Sequence, residues 1–229
     1  MKTAVLACNT IRAELLLAKQ RTRSEYDIIW LESNLHNNID KLRAEMQKGL
    51  DRLVGYDRVL MAFGFCGNSV IGLKTHSFEL ILPRIDDCIS LLIGSISKRA
   101  EISKGRQSIY LTRGWLEHES SILSEYEYTV NKHGEESAKF VIDSMFGMYD
   151  TLSIIDTGAY NVESVMDSAE QISEKFGLEK KLVQGTTSYL EALLSGKWDE
   201  ARFLIVPPNR AIQVEDVFLF ESESSLCIL

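Results

Sequence analysis

Apolar positions recur along the chain with two different periods, and the alternation between them defines the elements. Thr3 to Cys8 is a continuous apolar run closed by the polar pair Asn9-Thr10, the pattern of a strand buried on both faces. Residues 11–19 then show helical spacing. A second strand over 26–31 precedes a polar stretch. Ile39, Leu42, Met46, Leu50 and Leu53 follow at helical steps, with Asn38 placed to cap that helix. Strands over 58–63 and 78–83 each run into a short loop, and Asp86 or Asp87 opens a helix that reaches about residue 96.

The middle is less regular, with a short strand at 108–112, a turn at 113–115 and helices near 117–131 and 135–147. A strand over 152–156, a helix over about 162–176, a strand over 181–183, a helix over 187–195 and a strand over 203–206 resume the alternation. Strands separated by helices call for right-handed crossovers. The expected class is therefore α/β, a doubly wound, mostly parallel sheet or sheets with helices on both faces. A single domain over 1–215 and two Rossmann-like halves around a cleft, about 1–112 and 113–215, both satisfy this pattern. Residues 216–229 read as a tail. No internal repeat or Pro- or Ser-rich linker divides the chain.

Composition narrows the class further. Over 229 residues, 45% hydrophobic and 25% charged content excludes fibrous and disordered chains. Lys and Arg number 25 against 33 Asp and Glu, a net charge of -8, and no basic run forms the stripe that a phosphate backbone selects, so no nucleic-acid partner is expected. The apolar stretch around 88–93 falls far below the about 18 residues of a membrane span. The apolar start resembles a signal peptide but is interrupted by Asn9, Thr10, Arg12 and Glu14, so the expectation is a soluble, cytoplasmic protein without a membrane partner. No hydrophobic stripe in the sequence marks an interface, and a homodimer fits as well as a monomer.

Candidate chemistry follows from the fold class, because doubly wound sheets bind ligands outside the carboxyl ends of their strands. The first strand ends at Cys8, the second leads to His36, the third to Cys66, the fourth to Cys88, and the strand over 152–156 ends at Asp156. Cys8, Cys66, Cys88 and His36 thus fall in four successive strand-to-helix loops, a set suited to zinc; the three cysteines alone suit an iron–sulfur cluster. The spacing forms no compact C-x-x-C finger, so the site depends on the fold to gather it. His76, placed before a strand, ranks below His36.

Each residue also has an ordinary reading. Cys8 fits a core position, since free cysteines are commonly buried, whereas Cys66 stands in Gly64-Phe65-Cys66-Gly67-Asn68, where glycines let backbone approach a ligand and leave the thiol exposed. Cys227 reads as incidental. Asp86 and Asp87 sit at a helix start, where one caps and the other is available to orient a ligand or carry a proton; Arg84 pairs with them or holds an anion. Asp156-Thr157-Gly158 occurs on an α/β framework rather than the all-β one of aspartic proteases, which leaves ligand binding or helix capping. Gly64, Gly67 and Gly72 match neither nucleotide fingerprint. Trp115 is core or a lid over the cleft, and His118 and His133 read as solvated.

Cys8 after the first strand, the loop 64–68, the segment 83–95 around Asp86-Asp87-Cys88, Tyr110 to Leu116, Ile155 to Gly158 and Phe203 to Pro208 together resemble the family catalogued as domain of unknown function 1638, from residue 4 to about 210. Its members are often encoded beside corrinoid-dependent methyltransferases for methylated amines, so the resemblance implies one-carbon metabolism. It also implies characteristic cysteines at Cys8, Cys66 and Cys88, with Asp86, Asp87 and Asp156 beside them. Asn209-Arg210 stands where the resemblance would place glycine, which counts against a phosphate site there.

Two functions are expected on these grounds. One is a metal-binding α/β protein that uses strand-end cysteines for zinc or an iron–sulfur cluster in corrinoid-linked methyl transfer. The other is a non-enzymatic accessory protein that binds a corrinoid or a methylated amine, a small-molecule ligand, for a partner methyltransferase.

Overall fold

The computed structural model describes residues 1–32, 38–118 and 122–218. Two sheets organise the chain. The first runs β2-β1-β3-β4-β8, built from β1 (Thr3–Cys8), β2 (Asp27–Leu31), β3 (Arg58–Ala62), β4 (Glu79–Pro83) and β8 (Phe203–Val206). β1 to β4 are parallel, and β8 closes the edge antiparallel to β4, with Leu80 opposite Val206 and Pro83 opposite Phe203. The second sheet, β5 (Ser108–Leu111), β6 (Thr151–Asp156) and β7 (Glu179–Gln184), is parallel throughout. The class is α/β, as the alternation predicts.

Helices α1 (Arg12–Thr22), α2 (Ile39–Asp51), α3 (Cys88–Ile93) and α4 (Ile96–Ser103) belong to the first half, and α9 (Ser188–Leu194) packs back against it. The second half holds α5 (Arg113–His118), α6 (Ile122–His133), α7 (Glu135–Phe146) and α8 (Met166–Phe176). The chain thus crosses to the second sheet before β5 and returns after β7. The two halves share one core: Tyr110, Ile155 and Val183 of the second sheet join the cluster built on β1, β3 and β4, while Leu111, Leu152 and Ile154 turn into the smaller cluster behind. Successive strand residues point to opposite faces, so one face of the small sheet serves each core.

Capping chemistry sets the helix limits. The Asn38 side chain accepts from Lys41 N at 3.0 Å, as expected from sequence. The helix expected from Asp86 or Asp87 to about residue 96 is shorter, capped by Asp87 and ended by Gly94 at φ +106°, and a helix the sequence reading lacked, α4, follows, with the Ser95 hydroxyl capping it by accepting from Lys98 N. Residues 113–115, read as a turn, are the first turn of α5. The helix expected from residue 11 begins with a short 3-10 turn, Asn9–Ile11.

The halves meet where α5 lies on that 3-10 turn. A Cβ on Gly114 would stand 1.8 Å from the Thr10 carbonyl oxygen, so only glycine permits the contact. We expect Gly114→Ala to cost about 1–3 kcal/mol through overpacking, read as a lower urea midpoint; an unchanged midpoint would show that the two halves do not meet here.

Candidate functional site

Strand order decides where a ligand fits. β1 sends its crossover to β2 on one side, while β3 lies on the other, so the carboxyl ends of β1 and β3 flank the switch point of the first sheet, the position where open α/β sheets bind ligands. Cys8 is the last residue of β1 and Cys66 lies in the loop that leaves β3. The two sequence candidates therefore stand on either side of this crevice, and each thiol lies within electrostatic range of the other.

The loop after β3 is held by the loop after β4. Phe65 N donates to Ile85 O at 2.8 Å and Cys66 N to Asp86 O at 2.7 Å. Gly64 is needed for this approach, because a Cβ there would come within 2.6 Å of the Asp87 backbone. Cys66, Gly67 and Asn68 then all adopt positive φ, at 44°, 65° and 66°. Only glycine visits this region without cost, so the cysteine is held in a strained conformation, a feature that clusters at functional sites.

Cys66 keeps some exposed surface, short of the open thiol expected from its glycine neighbours. Burial pushes its thiol well above the ordinary range, and the charges of Cys8, Asp87 and Asp86 push the same way. Cys8 is buried, with its sulfur 3.1 Å from the Thr10 hydroxyl. Cys88, the first residue of α3, is buried in the core. All three are reduced, outside any disulfide. His36 lies outside the described residues. Among the described residues, no three His, Cys, Asp or Glu side chains stand together within reach of one metal ion.

Asp86 and Asp87 share a cation that sequence reasoning did not identify. Arg99 donates to Asp87 Oδ2 at 2.7 Å and approaches Asp86 Oδ2 at 3.4 Å, with its guanidinium over the Tyr110 ring, 5.2 Å from the centroid. Asp87 also caps α3 through Ser90 N, while burial, then the charge of Asp87, raises Asp86 above the usual carboxylate value. Arg84 turns elsewhere: its guanidinium donates to the carbonyls of Glu200, Phe203 and Asp216 and clamps the returning chain. Asp156 Oδ1 accepts from Gly158 N in a local turn at the end of β6. Trp115 is partly buried against the first core, and its backbone N–H donates to the Thr112 hydroxyl.

Thr157 reaches across the seam between the halves and donates to Glu14 Oε1 at 3.0 Å. Glu14 is fully buried and its Oε2 has no hydrogen-bond partner. It lies in the buried row Ile11, Glu14, Leu15, Ala18, so the signal in the sequence was a carboxylate at core spacing. Burial raises its pKa above 4.5, outweighing the Thr157 bond. A cavity of about 560 Å³ lies elsewhere, under α6 and α7 and beside Ile109 and Leu178 near the amino ends of β5 and β7. It touches none of the crevice residues.

A buried acid with a raised pKa binds its proton more tightly in the folded state, so its ionisation costs stability as pH rises above 4.5. Glu14→Gln retains an acceptor for Thr157 and removes the charge. The variant should gain stability relative to wild type as pH is raised from 4.5 towards 8, measured by urea unfolding; parallel pH profiles would contradict the assignment. Asp87→Asn keeps a capping oxygen but removes the charge facing Arg99, while Asp87→Ala removes both. The alanine variant should be the less stable by about 0.5–2 kcal/mol, and equal losses would show that the cap contributes nothing.

No curated protein and no solved structure matches the chain. A family model described as a protein of unknown function, DUF1638, matches residues 30–194, a span that takes in α2, the Cys66 loop, the Asp86-Asp87-Cys88 segment and the whole second sheet. With most of its length inside that match, the chain belongs to the DUF1638 family.

Proposed function

We propose that this α/β protein binds a thiophilic metal, zinc or the iron of an iron–sulfur cluster, in the crevice between its halves, with Cys66 and Cys8 as the gripping donors. The observation that carries this reading is the placement of both thiols at the β1/β3 switch point, with the Cys66 backbone fixed in a strained conformation by the neighbouring loop. Two thiols supply half of a tetrahedral zinc shell. Cys88 is buried in the core and does not gather with them, so His36 is the proposed further donor from this chain, and a substrate thiol is the natural occupant of an open position.

The reaction we attach to the site is the one the resemblance implies, corrinoid-linked methyl transfer in one-carbon metabolism. Bound zinc supplies Lewis acidity that lowers the pKa of a coordinated thiol. Cys66 and Cys8 hold it, while Asp86 and Asp87, tied to Arg99, shape the wall beside them. The alternative ligand, a methylated amine, finds its place taken: Arg99 already sets a cation against Asp87 and over the Tyr110 ring. No described helix is long and apolar enough to cross a membrane. Three reduced cysteines suit the reducing cytoplasm, where we place the protein.

Protein purified without oxygen should carry near-stoichiometric zinc or iron, and Cys66→Ala should lose it while retaining its circular dichroism; metal-free wild type after anaerobic reconstitution would overturn the reading. Because the Cys66 thiol is held protonated by burial, metal uptake must release its proton. Zinc affinity should therefore rise steeply with pH between 6 and 8, more steeply in wild type than in Cys66→Ala. Equal slopes would remove Cys66 from the donor set.

A further inference from the structure

Buried polar atoms are left without partners along one surface of this fold, the seam between its two halves. Among the described residues, five buried side-chain polar atoms make no hydrogen bond, and four of them lie there: Asn9 Oδ1, Glu14 Oε2, the Tyr110 hydroxyl and Ser153 Oγ. Tyr110 and Ser153 are register partners on β5 and β6, on the face of the small sheet that turns toward the first core. Glu14 meets Thr157 across the seam through its other oxygen, and Asn9 opens the 3-10 turn on which α5 rests. Buried hydroxyls elsewhere are satisfied: Ser69 donates to Phe65 O, Thr75 to the carbonyls of Pro207 and Arg210, and Thr187 to Glu191. A polar group shut away from water without a partner bears its full desolvation cost, and a seam that stayed closed and dry would collect these costs in one place.

We propose that the two halves part and rejoin as bodies about their two connections, and that the open form hydrates these orphaned atoms. The chain passes between the halves at residues 104–107 and again at 185–187. The first connection begins with Lys104 and Gly105, at φ +46° and +77°, and a Cβ at Gly105 would meet nothing within 4 Å, so this joint has room to turn. The second is pinned: Thr186 N donates to Leu92 O at 2.7 Å, and a Cβ at Gly185 would come within 2.6 Å of the Ile155 side chain. Turning about the pinned side leaves the backbone pairing inside each sheet intact.

Parting lifts α5 from the turn that follows Cys8 and brings solvent to the carboxyl ends of β1 and β6. The crevice at Cys8 and Cys66 is thereby reached through a movement of the halves, whether or not a metal fills it. Opposing the motion are the Thr157–Glu14 bond, the Arg99 guanidinium over the Tyr110 ring, and the packing of Tyr110, Ile155 and Val183 against the first core. Halves of one chain that meet through a small and partly polar surface move relative to each other.

Thiol alkylation of the folded full chain, resolved by peptide mass spectrometry, tests the proposal. Ser153 and Val59 are both buried, the first at the seam and the second inside the first core. The thiol introduced by Ser153→Cys should react at least about tenfold faster than the one introduced by Val59→Cys. Urea below the unfolding transition should hardly change the faster rate, because parting exposes far less surface than global unfolding. Tyr110→Phe removes one orphaned atom and favours the joined form, so combined with Ser153→Cys it should slow that reaction at least about threefold. Equal rates at the two positions with the same urea dependence mark global unfolding and would overturn the proposal, as would a seam rate indifferent to Tyr110→Phe.

Discussion

The backbone hydrogen bonds that join the loop after β3 to the loop after β4 are the constraint on which the site depends. Phe65 and Cys66 donate to Ile85 and Asp86, and the absence of a side chain at Gly64 lets the two backbones touch. Closing the loops this tightly sends Cys66, Gly67 and Asn68 into the left-handed region and keeps the Cys66 thiol within electrostatic range of Cys8. The same contact fixes Asp87 at the start of α3, where one oxygen caps the helix and the other meets Arg99. Strain at the cysteine is thus offset by bonds made one loop away.

The second half acts on this site through packing. One face of the small sheet enters the first core through Tyr110, Ile155 and Val183, and Tyr110 in turn backs Arg99. Thr157 and Glu14 tie the strand ends of the two sheets across the seam, and Gly114 allows α5 to rest on the turn that follows Cys8. The Thr157–Glu14 and Gly114–Thr10 contacts each join residues more than a hundred positions apart.

Much of the fold was legible because strand burial and helix capping are local. The run Thr3–Cys8, the cap at Asn38 and the strand at Phe203–Val206 each announced themselves in a few residues. α4 was not read because residues 96–103 form no buried apolar row, and α5 because Gly114 reads as a turn until Thr10 is known to lie against it. Strand-end position was enough to put Cys8, Cys66 and the two aspartates at the carboxyl ends of β1, β3 and β4. The thiol expected to be exposed at Cys66 is only partly so, and Arg84, read as pairing with the aspartates or holding an anion, also engages carbonyls that come from residues 200–216. Arg99 escaped notice because its partners lie 12 and 13 residues away across a helix break.

X-ray absorption at the metal edge tests the central claim most directly, because it reads the donor atoms rather than the metal content. The account predicts at least two sulfur neighbours at about 2.3 Å around zinc, with a sulfur lost in Cys66→Ala and another in Cys8→Ala. A shell of nitrogen and oxygen alone, or a sulfur count indifferent to Cys66, would contradict it.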